Sequence, residues 1–294
     1  MTTITKQTIN LVLERSTFGN SRRASLGGIN VQDADKSMLG LSKRLMRSPE
    51  LTAICDLNHD VRQHLWDTLV PNPLYRAGVY VAPIDLVEQV EAYLQERKAL
   101  WASLVEAFLA AYPAQAEAAA ADLKQFYNPR DYPTIEAMRA KFSFTWRYVS
   151  EAEPTQLKQI SKHFFDQAKA DGARQVEAAV DEIRGFLREA FGEIVAHMAD
   201  RLSDKVLGKR NVFRDTLCDR LNGFLETFNL RNVTDDAELQ SQVEQMRALM
   251  AGVTPKALRD DGALRQAIAV RVGEIKSTLD GMVVTAADRA LVLD

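Results

Sequence analysis

Two groups of side chains in this sequence have types and spacings that could do chemistry, and both would do it by binding. The first is basic: Arg22 and Arg23, then Lys43, Arg44 and Arg47. Brought together they could contact phosphates, because each phosphate neutralised by a cation releases condensed counterions. The second is aromatic. Phe126, Tyr127, Tyr132, Phe142, Phe144, Trp146 and Tyr148 place seven of the 22 aromatics within 23 residues, interleaved with Arg130, Arg139, Lys141 and Arg147. Rings beside guanidinium groups can stack on unpaired bases, which makes Trp146, Arg130 and Arg147 candidate contacts. Each group also has a plain structural use. A run of charges is ordinarily a solvated face, and aromatics alternating along a strand ordinarily bury one side.

The other candidates do not support bond-making chemistry. Asp33-Ala34-Asp35-Lys36-Ser37 has the spacing of phosphotransferase and cation-binding loops, but those need a preceding buried strand or further ligands around a turn glycine. Helix capping by Asp33 or Asp35 is the simpler role. Cys55 and His59 are one helical turn apart with Asp60 adjacent, yet His64, His163 and His197 stand too far off to complete a metal site. Cys55 is therefore read as core and His59 as surface. The sequence holds no Walker A loop, GxGxxG, GxSxG or HExxH. No catalytic, cofactor-binding or metal-ligating residue is assigned, and no enzyme is expected.

Hydrophobic residues make up 46% and charged residues 26%, the composition of a folded chain, and 294 residues can bury a sizeable core. The net charge of −3 is uneven: residues 1 to 50 carry +4, leaving −7 for the remainder. A polyanion would meet a mixed surface with one basic end. Cys55 and Cys218 lie far apart without CxxC spacing, which suits a reducing compartment. With no basic-then-apolar pattern in MTTITKQTIN and no apolar run of about 18 residues, a cytoplasmic protein without membrane attachment is expected.

The elements that must position these residues are mostly helical. A strand is predicted over 4–18 from its β-branched residues and from Ile9, Leu11 and Leu13, and glycines punctuate the loop that holds Arg22 and Arg23. A helix is predicted from Ala34, with Leu39, Leu41, Leu45 and Met46 on one side and Lys36, Lys43, Arg44 and Arg47 on the other. Ser48-Pro49-Glu50 starts the next, which carries Leu51, Ile54, Leu57, Val61, Leu65 and Trp66 before Pro71 and Pro73 stop it. Gly78 to Ala82 reads as a second strand pairing with the first.

Two long stretches dominate, Ile84 to Phe126 and Thr155 to Leu207. In the first, Val87, Val90, Leu94, Arg97, Trp101, Leu104, Phe108 and Ala111 fall at alternating steps of three and four, and in the second Val176, Val180, Ile183, Leu187, Ala190, Ile194 and His197 do the same. Stripes so narrow need a partner, and the short connection predicts that the two pack antiparallel as a coiled-coil hairpin with an aromatic tip at 127–154. Pro113 should kink the first arm, and Asp171-Gly172 marks a fault in the second. At about 1.5 Å per residue the second arm would reach about 80 Å, making the molecule elongated. Within the tip, Ile135 to Lys141 reads as two helical turns and Phe142 to Val149 as a half-buried strand. Amphipathic helices follow at about 211–229, 236–251 and 262–282. The predicted fold class is mainly α: a small α+β N-terminal cap (1–83), a long antiparallel helical hairpin (84–207) and a C-terminal helical region (208–294).

Several stretches resemble a numbered domain family of unknown function carried by tailed phages and mobile elements. They are Val31-Gln32-Asp33-Ala34-Asp35-Lys36-Ser37-Met38-Leu39, Ser48-Pro49-Glu50-Leu51 with Ala53-Ile54, Gly78-Val79-Tyr80 with Pro83-Ile84, Val105-Glu106-Ala107-Phe108-Leu109-Ala110-Ala111-Tyr112-Pro113, Tyr127-Asn128-Pro129-Arg130-Asp131-Tyr132-Pro133, and Phe142-Ser143-Phe144-Thr145-Trp146. The likeness covers about residues 30 to 150. It implies no activity and no catalytic residues. It does imply a setting, because such proteins are often encoded beside an AAA+ ATPase similar to the cobaltochelatase motor subunit and a von Willebrand-type protein. The expectation is a non-enzymatic adaptor or structural protein of a phage or mobile element, with protein partners of that kind or further copies of itself. The alternative is a nucleic-acid-binding accessory protein using the basic N-terminal patch and the aromatic tip.

Overall fold

Ser48 accepts the N–H of Leu51 at 3.1 Å and Pro49 follows it, so the first long helix begins where its sequence says it should. The computed structural model describes residues 7–24, 38–75, 77–150, 162–203 and 215–290. Its strands are β1 (Thr8–Ser16), β2 (Ser21–Ala24), β3 (Leu41–Arg44), β4 (Val70–Pro71), β5 (Val79–Pro83) and β6 (Ser143–Val149). Its helices are α1 (Pro49–Thr68), α2 (Val87–Leu123), α3 (Ile135–Arg139), α4 (Lys162–Leu202), α5 (Asp215–Arg231), α6 (Ala237–Met250), α7 (Pro255–Asp260) and α8 (Gly262–Ala290). One sheet runs in the order β4-β5-β1-β6, so the two N-terminal strands do become neighbours, and β2 pairs with β3 in a second. The fold is mainly helical with a small sheet region.

The chain divides into two compact units that interleave in sequence. One takes Met1–Leu11, Leu65–Val87 and Tyr148–Asp294, the other Val12–His64 and Glu88–Arg147. The serial division at residues 83 and 207 does not follow them.

In the first unit α4 lies along α8, with α5, α6 and α7 around them. The stripe of α4 is buried as predicted at Val180, Ile183, Leu187 and Ile194, but His197 is exposed and Phe191, Val195, Met198 and Leu202 continue the buried face instead. Its core partners are Leu221, Phe224 and Phe228 of α5, Val243 and Met246 of α6, and Ile268, Val272, Ile275 and Leu279 of α8. Phe191 stacks on Phe224 with centroids 5.0 Å apart. Each such side chain contributes about 1.5–3 kcal/mol by leaving water. Arg265 of α8, buried at 3% exposure, donates to the carbonyls of Leu202 and Arg201 at 3.1 and 2.6 Å. It satisfies carbonyls that the end of α4 leaves open.

In the second unit α1 buries Leu51, Ile54, Leu57 and Val61, and α2 buries Val90, Leu94, Trp101, Val105, Phe108, Leu109 and Tyr112. What covers α2 is the aromatic segment. Trp101 meets Phe142 and Phe144 at 6.2 and 5.8 Å between centroids, and Phe108 meets Phe142 at 5.4 Å. The predicted coiled-coil hairpin is thus corrected: the stripe of α2 is filled by Phe142 and Phe144, and that of α4 by α5 and α8. The stripes are buried at Val90, Leu94, Trp101 and Phe108 of α2 and at Val180, Ile183, Leu187 and Ile194 of α4, but a stripe does not name its partner, and the large rings after α2 lie against it. Residues 127–150, the described part of the predicted tip, therefore pack on α2 instead of closing a hairpin, with the aromatic strand half-buried as expected. Within it α3 and β6 form as predicted, with Phe144 buried between exposed Ser143 and Thr145.

Three local expectations also change. α2 runs unbroken through Pro113, which sits on its exposed side, and α4 runs unbroken through Asp171-Gly172. The helix predicted from Ala34 falls partly outside the described residues, and Leu41–Arg44 is a strand. Leu41 and Lys43 turn inward while Ser42 and Arg44 face out, so the period there is two, which the leucine count had hidden.

Candidate functional site

The basic residues of the N-terminal region sit on the β2–β3 ladder, whose register decides which of them can act together. Ser21 lies opposite Arg44, Arg22 opposite Lys43 and Arg23 opposite Ser42. Residues directly opposite share a face, so Arg23 and Arg44 stand on one side with Ser21 and Ser42, and Arg22 and Lys43 on the other. A two-stranded ribbon is marginal alone, and this one is stitched at its ends. Asn20 donates to the carbonyl of Met46 at 2.8 Å and accepts the Met46 N–H at 3.0 Å, while the Leu45 N–H bonds the Asn20 carbonyl at 3.1 Å. The Tyr132 hydroxyl donates to the Leu45 carbonyl. Lys43 pairs with Asp131 at 2.8 Å and donates to the Phe126 carbonyl, so this half-buried ammonium is a tie and not a contact for ligand.

Beside the ladder lies a half-open groove of about 1030 Å³. Asn20, Ser21 and residues 42–47 form one wall, and Ala114, Gln115, Ala118, Ala119, Asp122 and Leu123 of α2 the other. The alanines keep the α2 wall low. Gln115 donates to Glu50 at 2.6 Å, and Ser48 donates to the same Glu50 oxygen at 3.0 Å. The backbone N–H of Glu50, then Gln115 and Ser48, outweigh partial burial and hold this carboxyl below its ordinary range. Arg44 and Arg47 line the groove, and Arg47 stands 3.9 Å from Asp122 with both side chains exposed.

The remaining predicted contacts are scattered and mostly spoken for. Arg22 donates to the carbonyls of Gly19 and Ser21 at 3.0 and 2.8 Å and lies 5.6 Å from the Phe18 ring centre. Arg147 pairs with Glu14 at 3.2 Å. The indole N–H of Trp146 donates to Glu91 at 2.7 Å, Lys98 lies 5.2 Å over its ring, and Phe144 meets its edge at 6.0 Å. That ring is half-buried and committed, not a free stacking platform. Arg130 is exposed and, like Arg23 and Arg44, has no side-chain partner among the described residues. Tyr127 stacks on Tyr132 at 4.9 Å, and the Tyr112 hydroxyl donates to the Pro133 carbonyl at 2.8 Å, so the aromatics brace α2 and β3.

Asp33 and Asp35 lie outside the described residues. Cys55 is exposed, correcting its reading as core: on α1 the inward positions are Leu51, Ile54 and Leu57, and Cys55 falls between them. Partial burial, then the charge of Asp56, pushes its thiol up. His59 is exposed as expected. Among the described residues no group of His, Cys, Asp and Glu could hold a metal, and no helix is long and apolar enough to cross a membrane.

What the groove can do is bind. It offers guanidinium groups, hydroxyls and a low apolar wall. The alanines Ala114, Ala118 and Ala119 went unread as site residues because in sequence they signal only a good helix former. Asn20 and Gln115 gave no signal at all, since their partners lie 26 and 65 residues away. Comparisons with family models, curated proteins and solved structures find no match to this chain.

Proposed function

We propose that this protein is a non-enzymatic adaptor or structural component of a multiprotein assembly of a phage or mobile element, acting in the host cytoplasm. The observation that carries this reading is how the charged and aromatic candidates are used. Lys43 and Trp146 are engaged inside the fold, and Arg22 and Arg147, though exposed, hold intramolecular partners, which leaves a local groove with a few cations where a nucleic-acid-binding protein needs a continuous basic track. The resemblance of residues 30 to 150 points to an AAA+ ATPase similar to the cobaltochelatase motor and to a von Willebrand-type protein as partners. Affinity capture of the tagged chain from cells carrying the element, read by mass spectrometry, tests it. Recovery of such a protein in stoichiometric amount is expected, and recovery of nucleic acid with no protein would overturn the reading.

The accessory nucleic-acid-binding reading keeps one observation in its favour. Arg23, Arg44 and Arg130 remain exposed without carboxylate partners among the described residues.

A further inference from the structure

We infer that the groove between β3 and the C-terminal third of α2 receives an acidic peptide segment of a protein partner, an inference that rests on the assembly reading above. The first argument is charge. Arg23 and Arg44 occupy diagonal positions on one face of the ladder, neither paired with a carboxylate among the described residues, and Arg44 also lines the groove beside Arg47. Like charges so placed repel across a ribbon only four residues long, and no carboxylate among the described residues pairs with either. Carboxylates arriving from outside would, since a guanidinium fork grips a carboxylate at two points. The exposed hydroxyls of Ser21 and Ser42 on the same face add neutral donors.

The second argument is shape. Ala114, Ala118 and Ala119 carry nothing beyond Cβ, and Leu45 and Met46 are buried at the base of the opposite wall, so a peptide backbone with small apolar side chains fits between. A space of about 1030 Å³ holds a short segment of chain and not a duplex. Asp122, on the α2 wall, disfavours the evenly spaced phosphates of a single strand. A peptide can present a neutral or basic residue at that point, which selects the peptide over the nucleic acid.

Fluorescence anisotropy of the full chain with a short labelled peptide alternating Glu and Ala tests this, beside its Lys and Ala counterpart and single-stranded DNA of matched length. Only the acidic peptide should bind. Its affinity should fall about tenfold in Arg44→Glu, the loss of one charge-assisted contact, and vanish in Ala118→Trp, which fills the groove from an exposed helix position. Unchanged far-ultraviolet circular dichroism verifies that each variant is folded, and should Ala118→Trp lose helicity, Arg44→Glu on the exposed strand face decides alone. Equal binding of the basic peptide, tighter binding of DNA, no binding of the acidic probe, or an affinity indifferent to Arg44→Glu overturns the inference. The assembly reading fails separately. A protein complex recovered from cells that survives both substitutions removes the groove but leaves the adaptor, and an acidic peptide held in the groove with no complex recovered does the reverse.

Discussion

Arg188 holds the carboxylate of Asp236 at two points, Nε to Oδ2 at 2.7 Å and Nη2 to Oδ1 at 3.0 Å, while Asp236 Oδ1 caps α6 by accepting the Leu239 N–H at 3.1 Å. One buried carboxylate therefore ties α4 to the start of α6. Asp236→Ala leaves the guanidinium with only the exposed Glu238 carboxylate, at 3.0 Å, and the helix uncapped, at a cost of about 2–4 kcal/mol. Urea denaturation followed by circular dichroism measures it. A loss within the range of surface substitutions would show that the pair is not structural.

The same carboxylate gives the protein an acid signature. Burial alone would push its pKa up, but the hydrogen bonds from Arg188 and the Leu239 N–H, with the charges of Arg188 and Arg184, outweigh burial and hold it below the ordinary value. A carboxyl depressed in the folded state contributes stability that is present above the unfolded pKa of about 3.9 and lost as pH falls through the lower folded value. The melting midpoint of the parent should drop below about pH 4 more steeply than that of Asp236→Asn. Parallel curves would contradict the assignment.

Tyr132 acts at the other end of the scale. Burial, with Tyr127, Asp131 and Tyr112 nearby, pushes its phenol up to about 12. Raised above the ordinary tyrosine value of about 10, the group contributes stability present below that pH and lost as pH rises through the folded pKa. Tyr132→Phe should lower stability at neutral pH by about 0.5–1.5 kcal/mol, through loss of the bond to the Leu45 carbonyl, and should flatten the alkaline decline. Ultraviolet titration in which every tyrosine ionises together would rule this out.

Leu187 is fully buried in the seam of α4, and Glu182 is exposed one turn and a half away. Leu187→Asp should cost about 3 kcal/mol or more, by burying an unpaired charge, whereas Glu182→Lys should change stability by no more than about 0.5 kcal/mol. Equal effects in chemical denaturation would mean the wrong face has been assigned.

Salt dependence separates the two functional readings. With Lys43 tied to Asp131 and the exposed Arg22 and Arg147 holding intramolecular partners, Arg23, Arg44 and Arg47 remain in the ladder and groove, the last 3.9 Å from Asp122. Any binding to single-stranded DNA should show a slope of log K against log salt no steeper than about −2, and none should be measurable at physiological salt. Tight binding with a slope near −4 or beyond would revive the nucleic-acid reading.

The parts of the fold that were legible are those whose signals are local. Ser48-Pro49 began α1, Pro129 and Pro133 bracketed a turn before α3, the alternation from Phe142 made β6, and Leu239, Val243 and Met246 marked the buried side of α6. What failed was pairing over distance. The stripes of α2 and α4 were each real, but neither encodes what lies against it, and Phe142 satisfies α2 as well as a second helix could. Lys43 shows the same limit at the site: its charge could be read, but not the Asp131 that neutralises it from 88 residues further on. Arg265 and Arg231 are buried where sequence places arginines in solvent, because backbone carbonyls at helix ends receive them.

The interleaving of the two units sets an order of birth. The stretch from Val12 to Arg147 is complete once half the chain has left the ribosome, and the unit it forms can close around its excursion at 65–87. The opening residues belong to the other unit, which cannot close until α8 has been made. At about 5–20 residues per second, translation of the whole chain takes roughly 15–60 s. Ile9 and Leu11 are grouped with helices made after Tyr148, whereas Val12 and Leu13 of the same strand are grouped with residues made by Arg147. The boundary between the units falls inside β1, whose neighbours β5 and β6 are both made by Val149, so the strand can pair long before α8 completes the unit to which its first residues belong.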